Sequence, residues 1–165
     1  MFRKVNLPQN IPGSLYIHSM PGRFEEIDHF LSEANDKDIR LVVCLTSHEE
    51  IEKKAPGYAV AILSDSFPIS RETFPIEDFS IPENGAVKEF INLAKRCASL
   101  LLMGKNILIH CGAGVGRTGT LCSAVLMALG YLEGEALQLL KDAGAQPETE
   151  EQMNLLRRIG NEIRQ

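Results

Sequence analysis

The passage "NILIHCGAGVGRTGT", residues 106–120, constrains this chain more than any other. A short apolar run of strand character empties straight into a turn built on Gly112, Gly114 and Gly116. The chain then leaves the turn in a helical pattern, "TGTLCSAVLMALGYL" (118–132). A strand, a tight glycine turn and a helix in immediate succession form the unit from which parallel sheets with helix-covered faces are built.

Short elements of both kinds alternate along the rest of the chain. "SLYIH" (14–18), "IRLVVCL" (39–45) and "YAVAIL" (58–63) read as strands, the second being the continuous β-branched run of a strand buried on both faces. "RFEEIDHFLSEAND" (23–36), "GAVKEFINLAKRCASLLLM" (85–103), "EGEALQLLKDAG" (133–144) and "TEEQMNLLRRIGNEIRQ" (149–165) have helical spacing. "SHEE" (47–50) fits a capping box, with Ser47 as cap and Glu50 three residues on, and opens one more short helix. The expected fold is α/β, a central, mainly parallel sheet of about four to five strands flanked by helices, in one domain over 1–165. Sites in such sheets lie outside the carboxyl ends of the strands, where the glycine turn falls. Between Ser64 and Asn84 no period lasts, and a structureless loop of this length is more often functional than idle.

The charge balance narrows the partners. At a net charge of −5 the chain is a poor match for long nucleic acids or anionic membranes. The apolar runs 99–103 and 122–129 are cut off by Gly104 and Gly130, so neither is long enough to span a bilayer. No secretory signal follows the first basic pair, so a cytoplasmic location is expected, and the chain is expected to be a monomer. Cys44, Cys97, Cys111 and Cys122 form no C-x-x-C pair and the histidines are scattered, so no metal site is expected. Cys44, Cys97 and Cys122 sit in apolar patterns and read as buried thiols.

The turn contains a literal G-x-G-x-x-G, yet it suits neither familiar nucleotide loop. A dinucleotide fold needs a further strand after the helix, with an acid at its end, and here the helix runs into two more helices. Against the Walker pattern, Cys111 stands in place of the first glycine and Arg117 in place of the lysine. What remains is C-x-x-x-x-x-R between a buried strand and a helix N-terminus. Gly112, Ala113, Gly114, Val115 and Gly116 can turn successive amides inward as an anion nest, and the helix adds the positive end of its dipole. Arg117 offers a planar fork that matches two phosphate oxygens. In such surroundings a cysteine pKa falls from ~8.5 into the range ~3.5–7.5, which makes Cys111 a candidate nucleophile.

The residues around this loop have two readings each. His110 orients the loop by hydrogen bonding or is a satisfied core histidine. Thr118 donates its hydroxyl to the cysteine sulfur or is an ordinary first-turn residue. Breaking a phosphate ester at sulfur needs a proton for the departing oxygen and later a base for water. One carboxyl group can serve both steps. The irregular stretch supplies Asp65, Glu72, Glu77, Asp78 and Glu83, and chemistry alone does not choose among them.

"HCGAGVGRTGT" resembles the H-C-x-x-G-x-G-R-[ST] signature of the cysteine-dependent protein tyrosine phosphatases. From "LYIHSMPG" through "RLVVCLT" to "ETEEQ" the chain is similar to their small atypical dual-specificity members. In that family the acid is an Asp followed four residues later by Pro, which fits Asp78 and Pro82. The resemblance implies a metal-free, cofactor-free, two-step hydrolysis. Cys111 attacks, Arg117 and the loop amides hold the phosphoryl group, and Asp78 protonates the leaving oxygen. "PETEEQ" (147–152) resembles the segment that positions the attacking water, with Glu148 where the large members carry glutamine. Thr149 with Gln152 also forms a capping box there, which would leave Glu148 merely outside the helix.

The expected substrate is a phosphorylated protein or peptide. The loop residues 112–116 carry no lysine or arginine, whereas phosphoinositide-specific relatives carry basic residues there. Lys53, Lys54 and Tyr58 lie in the region of a substrate-gripping rim, although a solvated helix face and a turn explain them as well. A phosphatase for small or nucleotide phosphates and a catalytically idle phosphate-binding module are the rival readings. A sulfur-transfer or arsenate-reducing enzyme would want a partner cysteine or a different loop composition, while Cys44, on a neighbouring strand, is either a partner for reversible oxidation of Cys111 or simply core.

Overall fold

The structure, a computed structural model, describes residues 1–165. Five strands form one sheet in the order β1-β2-β5-β3-β4. They are β1 (Arg3–Lys4), β2 (Leu15–His18), β3 (Ile39–Cys44), β4 (Ser70–Thr73) and β5 (Asn106–His110). β1 runs antiparallel to β2, and every other pairing is parallel. His18, His110 and Cys44 are paired across β2, β5 and β3, so three strands end at one level. The glycine turn leaves β5 from that level.

Seven helices cover the sheet: α1 (Ile27–Asp36), α2 (His48–Lys54), α3 (Pro56–Leu63), α4 (Val87–Leu102), α5 (Gly116–Ala128), α6 (Glu133–Asp142) and α7 (Glu150–Ile163). The period of two in the strands sorts their side chains. Leu15, Ile17, Val43, Ile107 and Ile109 meet residues of α4, α5 and α7 on one face. Tyr16, Val42 and Leu108 meet Phe2, Phe30 and Ala34 on the other. Both faces are thus dry, as a parallel sheet requires. Residues 116–127 of α5 are buried on every side, which explains why that helix has no polar face. No helix is long and apolar enough to cross a membrane.

Three expectations fail here. The run 58–63 is not a strand but lies within α3. Pro56 at the first helical position presets the backbone, and Tyr58, Ala59 and Ile62 turn into one cluster at helical spacing. A short apolar run carries no period that separates the two choices. The stretch 64–84 is not structureless, since β4 forms within it and pairs with β3 from Leu41–Ser70 to Cys44–Thr73. β4 is an edge strand of polar composition, so it shows no apolar run. The first helix also starts later than its spacing suggests, at Ile27 rather than residue 23.

Candidate active site

Cys111 follows directly on β5 and is 2% exposed. The loop after it is shaped from outside, by donors that hold its carbonyls away from the sulfur. Gly112 O accepts from Met20 N at 3.2 Å and from Arg23 Nη1 at 2.8 Å. Gly114 O accepts from Arg3 Nη2 at 2.6 Å, and Arg3 Nη1 reaches Gly144 O. With the carbonyls engaged, Gly114 N donates inward to Cys111 Sγ at 3.3 Å. Gly114 has φ +73°, and a Cβ there would strike the His18 backbone, so glycine is required. Ala113 and Val115 lie at the more accessible rim of the loop.

Arg117 sits in the first turn of α5 and is 2% exposed. Nη1 donates to Glu50 Oε2 at 2.8 Å and to Ile76 O at 3.0 Å, while Nη2 donates to Glu50 Oε1 at 3.0 Å. Nη2 also lies 3.0 Å from Asp78 Oδ1. Burial works against the guanidinium charge, but hydrogen bonds to Glu50 and the charges of Cys111, Glu50 and Asp78 raise its pKa above the ordinary value. Hydrogen bonds from Arg117, helped by Lys54, outweigh burial and hold the Glu50 carboxyl at about 2. Arg117 Nε and Thr118 Oγ1 are buried without any hydrogen-bond partner. A buried donor left alone costs roughly 1–3 kcal/mol. An oxyanion seated among the loop amides is the kind of group that would satisfy such donors.

Of the five carboxylates considered from sequence, Asp78 is the one that meets Arg117. Glu72 pairs with Arg96 on α4, and Asp65, Glu77 and Glu83 are exposed. Asp78 is carried on a turn closed by Ser80 N donating to Glu77 O at 3.1 Å, with Phe79 at φ +59°. The exposed Phe79 ring stands beside it in the chain. The turn is held at its root by the bond from Arg117 to Ile76 O, so one arginine reaches Glu50, Asp78 and the backbone before it.

Glu148 also reaches the loop, for a Cβ at Gly116 would collide with its carboxylate. The capping box at the start of α7 is present in both directions: Thr149 Oγ1 accepts from Gln152 N, and Gln152 Oε1 accepts from Thr149 N. α7 is thus capped, and Glu148 lies at the loop rather than away from it.

His110 is buried beneath Cys111. Its Nδ1 lies 3.2 Å from Cys111 O, a carbonyl that can only accept, so Nδ1 carries a proton. Nε2 lies 3.1 Å from the Tyr58 hydroxyl. Tyr58 is therefore a core residue and not a rim residue. Lys53 is exposed and pairs with Glu49, as a solvated helix face would have it. Lys54 instead points back to Glu50 at 2.7 Å. Burial raises the thiols of Cys97, to about 12, and of Cys122. Burial also opposes ionisation of Cys44, but the neighbouring His110 and the bonds with Thr46 overcome it and bring that thiol down to about 6.

Three participants escape a reading of the sequence. Glu50 fits a capping box, but its carboxylate spans to Arg117 instead of returning to the cap, where Ser47 alone accepts from Glu50 N. The spacing of Glu50 and Lys54 was the available signal of a paired helix face. Nothing local marks Arg3 or Arg23, whose partners lie 111 and 89 residues away.

Comparison with known proteins gives the family and the fold. The family model described as "Swiss Army Knife protein, DSP-PTPase phosphatase domain" matches residues 7–162. The tyrosine-protein phosphatase CDC14 of Saccharomyces cerevisiae is 29% identical over 119 residues, covering 72% of this chain and 19% of that protein. The tyrosine-protein phosphatase cdcA of Emericella nidulans is 31% identical over 116 residues, covering 70% of this chain and 17% of that protein. The chain thus spans less than a fifth of the length of these relatives. Among solved structures, Tk-PTP in its active form superposes with a TM-score of 0.70 at 23% identity, over 97% of this chain and 96% of that one. The kinase associated phosphatase, carrying a serine in place of its catalytic cysteine, superposes with a TM-score of 0.76 at 18% identity, over 91% and 87%. These likenesses show a shared fold. The match that runs through the strand, the glycine turn and the acid-bearing turn alike places this chain in the DSP-PTPase family.

Proposed function

We propose that residues 1–165 act as one phosphatase domain, which hydrolyses phosphate monoesters on proteins without a metal or other cofactor. Phosphotyrosine is the first substrate class, with phosphoserine and phosphothreonine also admitted. The observation that carries this reading is the meeting of Cys111, Asp78 and Glu50 around Arg117, with Gly114 N–H directed at the sulfur. The exposed Phe79 ring beside Asp78 favours an aryl leaving group over an alkyl one.

In the first step Cys111 Sγ attacks phosphorus, a P–S bond forms and the P–O bond to the substrate breaks. Asp78, entering as the carboxylic acid, gives its proton to the departing oxygen. Arg117 and the amides of Gly112 to Gly116 hold the equatorial oxygens, where the transition-state charge is spread. In the second step a water oxygen attacks phosphorus, its proton passes to the Asp78 carboxylate, and the P–S bond breaks. Glu148, beside Gly116, orders that water, and the Thr118 hydroxyl donates to the departing sulfur.

Hydrolysis of para-nitrophenyl phosphate in excess EDTA, by the intact chain and by Cys111→Ser side by side, tests the reading. Turnover by the first and none by the second is the expected result. Equal hydrolysis by both would overturn the cysteine mechanism, and phosphate binding with no turnover by either would leave a binding module.

One observation favours a second reading. Although residues 112–116 are uncharged, Arg3 and Arg23 lie against their carbonyls and Lys54 stands behind Glu50. Such a positive surround suits small phosphates with more than one anionic group. Higher kcat/KM on these than on phosphotyrosine peptides would bring that reading forward.

A further inference from the structure

We infer that Gln152 is a latch that positions the acid-bearing turn, a role distinct from its place in the cap of α7. This rests on the reading of Asp78 as the acid. The Gln152 side chain is fully buried and every polar atom of its carboxamide is engaged. Oε1 accepts from Glu148 N at 2.7 Å and from Thr149 N at 3.3 Å, which completes the cap. Nε2 does something the cap does not need: it donates to Ser80 O at 3.0 Å, across 72 residues of sequence.

Ser80 is the last residue of the turn that carries Asp78, and its own N–H closes that turn on Glu77 O. The first anchor of the turn is Ile76, whose carbonyl is held by Arg117. The turn is therefore pinned on both sides of Asp78, by Arg117 before it and by Gln152 after it. Between the pins, Phe79 holds φ +59°, a conformation that non-glycine residues adopt only when their surroundings impose it. The same carboxamide holds the backbone of Glu148. One side chain thereby sets the distance between the group that gives the proton and the group that orders the water.

The two functions of the carboxamide can be separated by one isosteric change. In Gln152→Glu a carboxylate keeps the acceptor for Glu148 N and Thr149 N, and an anion at a helix N-terminus is favourable. The donor to Ser80 O is lost and replaced by an oxygen that repels it. The cap survives and the latch does not.

The experiment measures backbone amide exchange over residues 77–81, thermal unfolding, and kcat and KM on aryl phosphates of graded leaving-group pKa. It compares the intact chain, Gln152→Glu, Asp78→Asn and the double variant. A latch predicts faster exchange at 77–81 in Gln152→Glu with little change in unfolding temperature. It also predicts kcat falling by about 10-fold for the poorest leaving groups, with KM and the best leaving groups little affected, as displacement of a catalytic group would produce. In the double variant Gln152→Glu should add nothing to Asp78→Asn. Unchanged exchange at 77–81, an equal loss on all leaving groups, or additivity in the double variant overturns the inference. If Asp78→Asn alone shows no leaving-group dependence, the acid assignment fails, and the exchange measurement still decides whether Gln152 holds the turn.

Discussion

Glu50 holds Arg117 by both ends of the guanidinium, with Oε2 2.8 Å from Nη1 and Oε1 3.0 Å from Nη2. Because these bonds favour the carboxylate, its pKa in the folded chain, about 2, lies below the ordinary value of 4.5. A depressed carboxyl pKa gives stability that is complete above the ordinary value and is lost as pH falls from there toward the folded one. Glu50→Gln should therefore unfold at a lower temperature near neutral pH, and its gap from the intact chain should narrow as the pH drops below about 4. Calorimetry across that range checks it, and a gap that stays constant would contradict it.

Asp78→Asn leaves an amide in the turn that cannot give up a proton. Hydrolysis of esters with poor leaving groups should fall by about 10²- to 10³-fold, and that of activated aryl esters by much less. Equal slowing of both would mean that Asp78 is not the acid.

Cys44 is expected to be the unusual thiol of the core. In a Cys111→Ser background, ultraviolet thiolate absorbance should appear as pH rises through about 6, the value to which His110 and Thr46 bring Cys44 against its burial. Below that pH the group is a thiol. Cys97 and Cys122, both raised by burial, should stay silent across the same window. Removing Cys44 as well should abolish the signal, and a signal that persists would assign it elsewhere.

Much of this was legible before the fold, but unevenly. The order from β5 through the glycine turn to α5 follows from local chemistry, since glycine, a buried strand and a helix start each leave a mark within a few residues. Asp78 could be singled out only through family resemblance, because five acids shared its stretch and none had a local distinction. The helix over Tyr58 and the strand at Ser70–Thr73 were missed for opposite reasons. The first is a short apolar run whose period is ambiguous, and the second is a polar edge that burial does not pattern. Glu50, Arg3 and Arg23 were hidden because their partners are set by the sheet and lie far away in sequence.

Gly119 marks a close approach of α5 to the backbone of another segment. A Cβ there would lie 2.5–2.7 Å from the Gln146 backbone, which has no flexible end to yield. Gly119→Ala should destabilise the chain by about 1–3 kcal/mol. Gly134→Ala in α6, where a Cβ meets nothing within 4 Å, should instead stabilise it by about 0.5 kcal/mol. Denaturant unfolding of the two variants checks both signs, and a neutral Gly119→Ala would remove the close approach from the account.

The bonds that shape the glycine loop and pin the turn of Asp78 join residues 67, 72, 89 and 111 positions apart. Each closes a long stretch of chain, whose entropy must be spent before the contact returns anything. Helices such as α4 and α7 need no such closure to begin forming. On refolding, affinity for phosphate should therefore return later than helical circular dichroism. A chain that is only partly assembled would carry Cys111 without the loop amides and the guanidinium that surround it in the folded state.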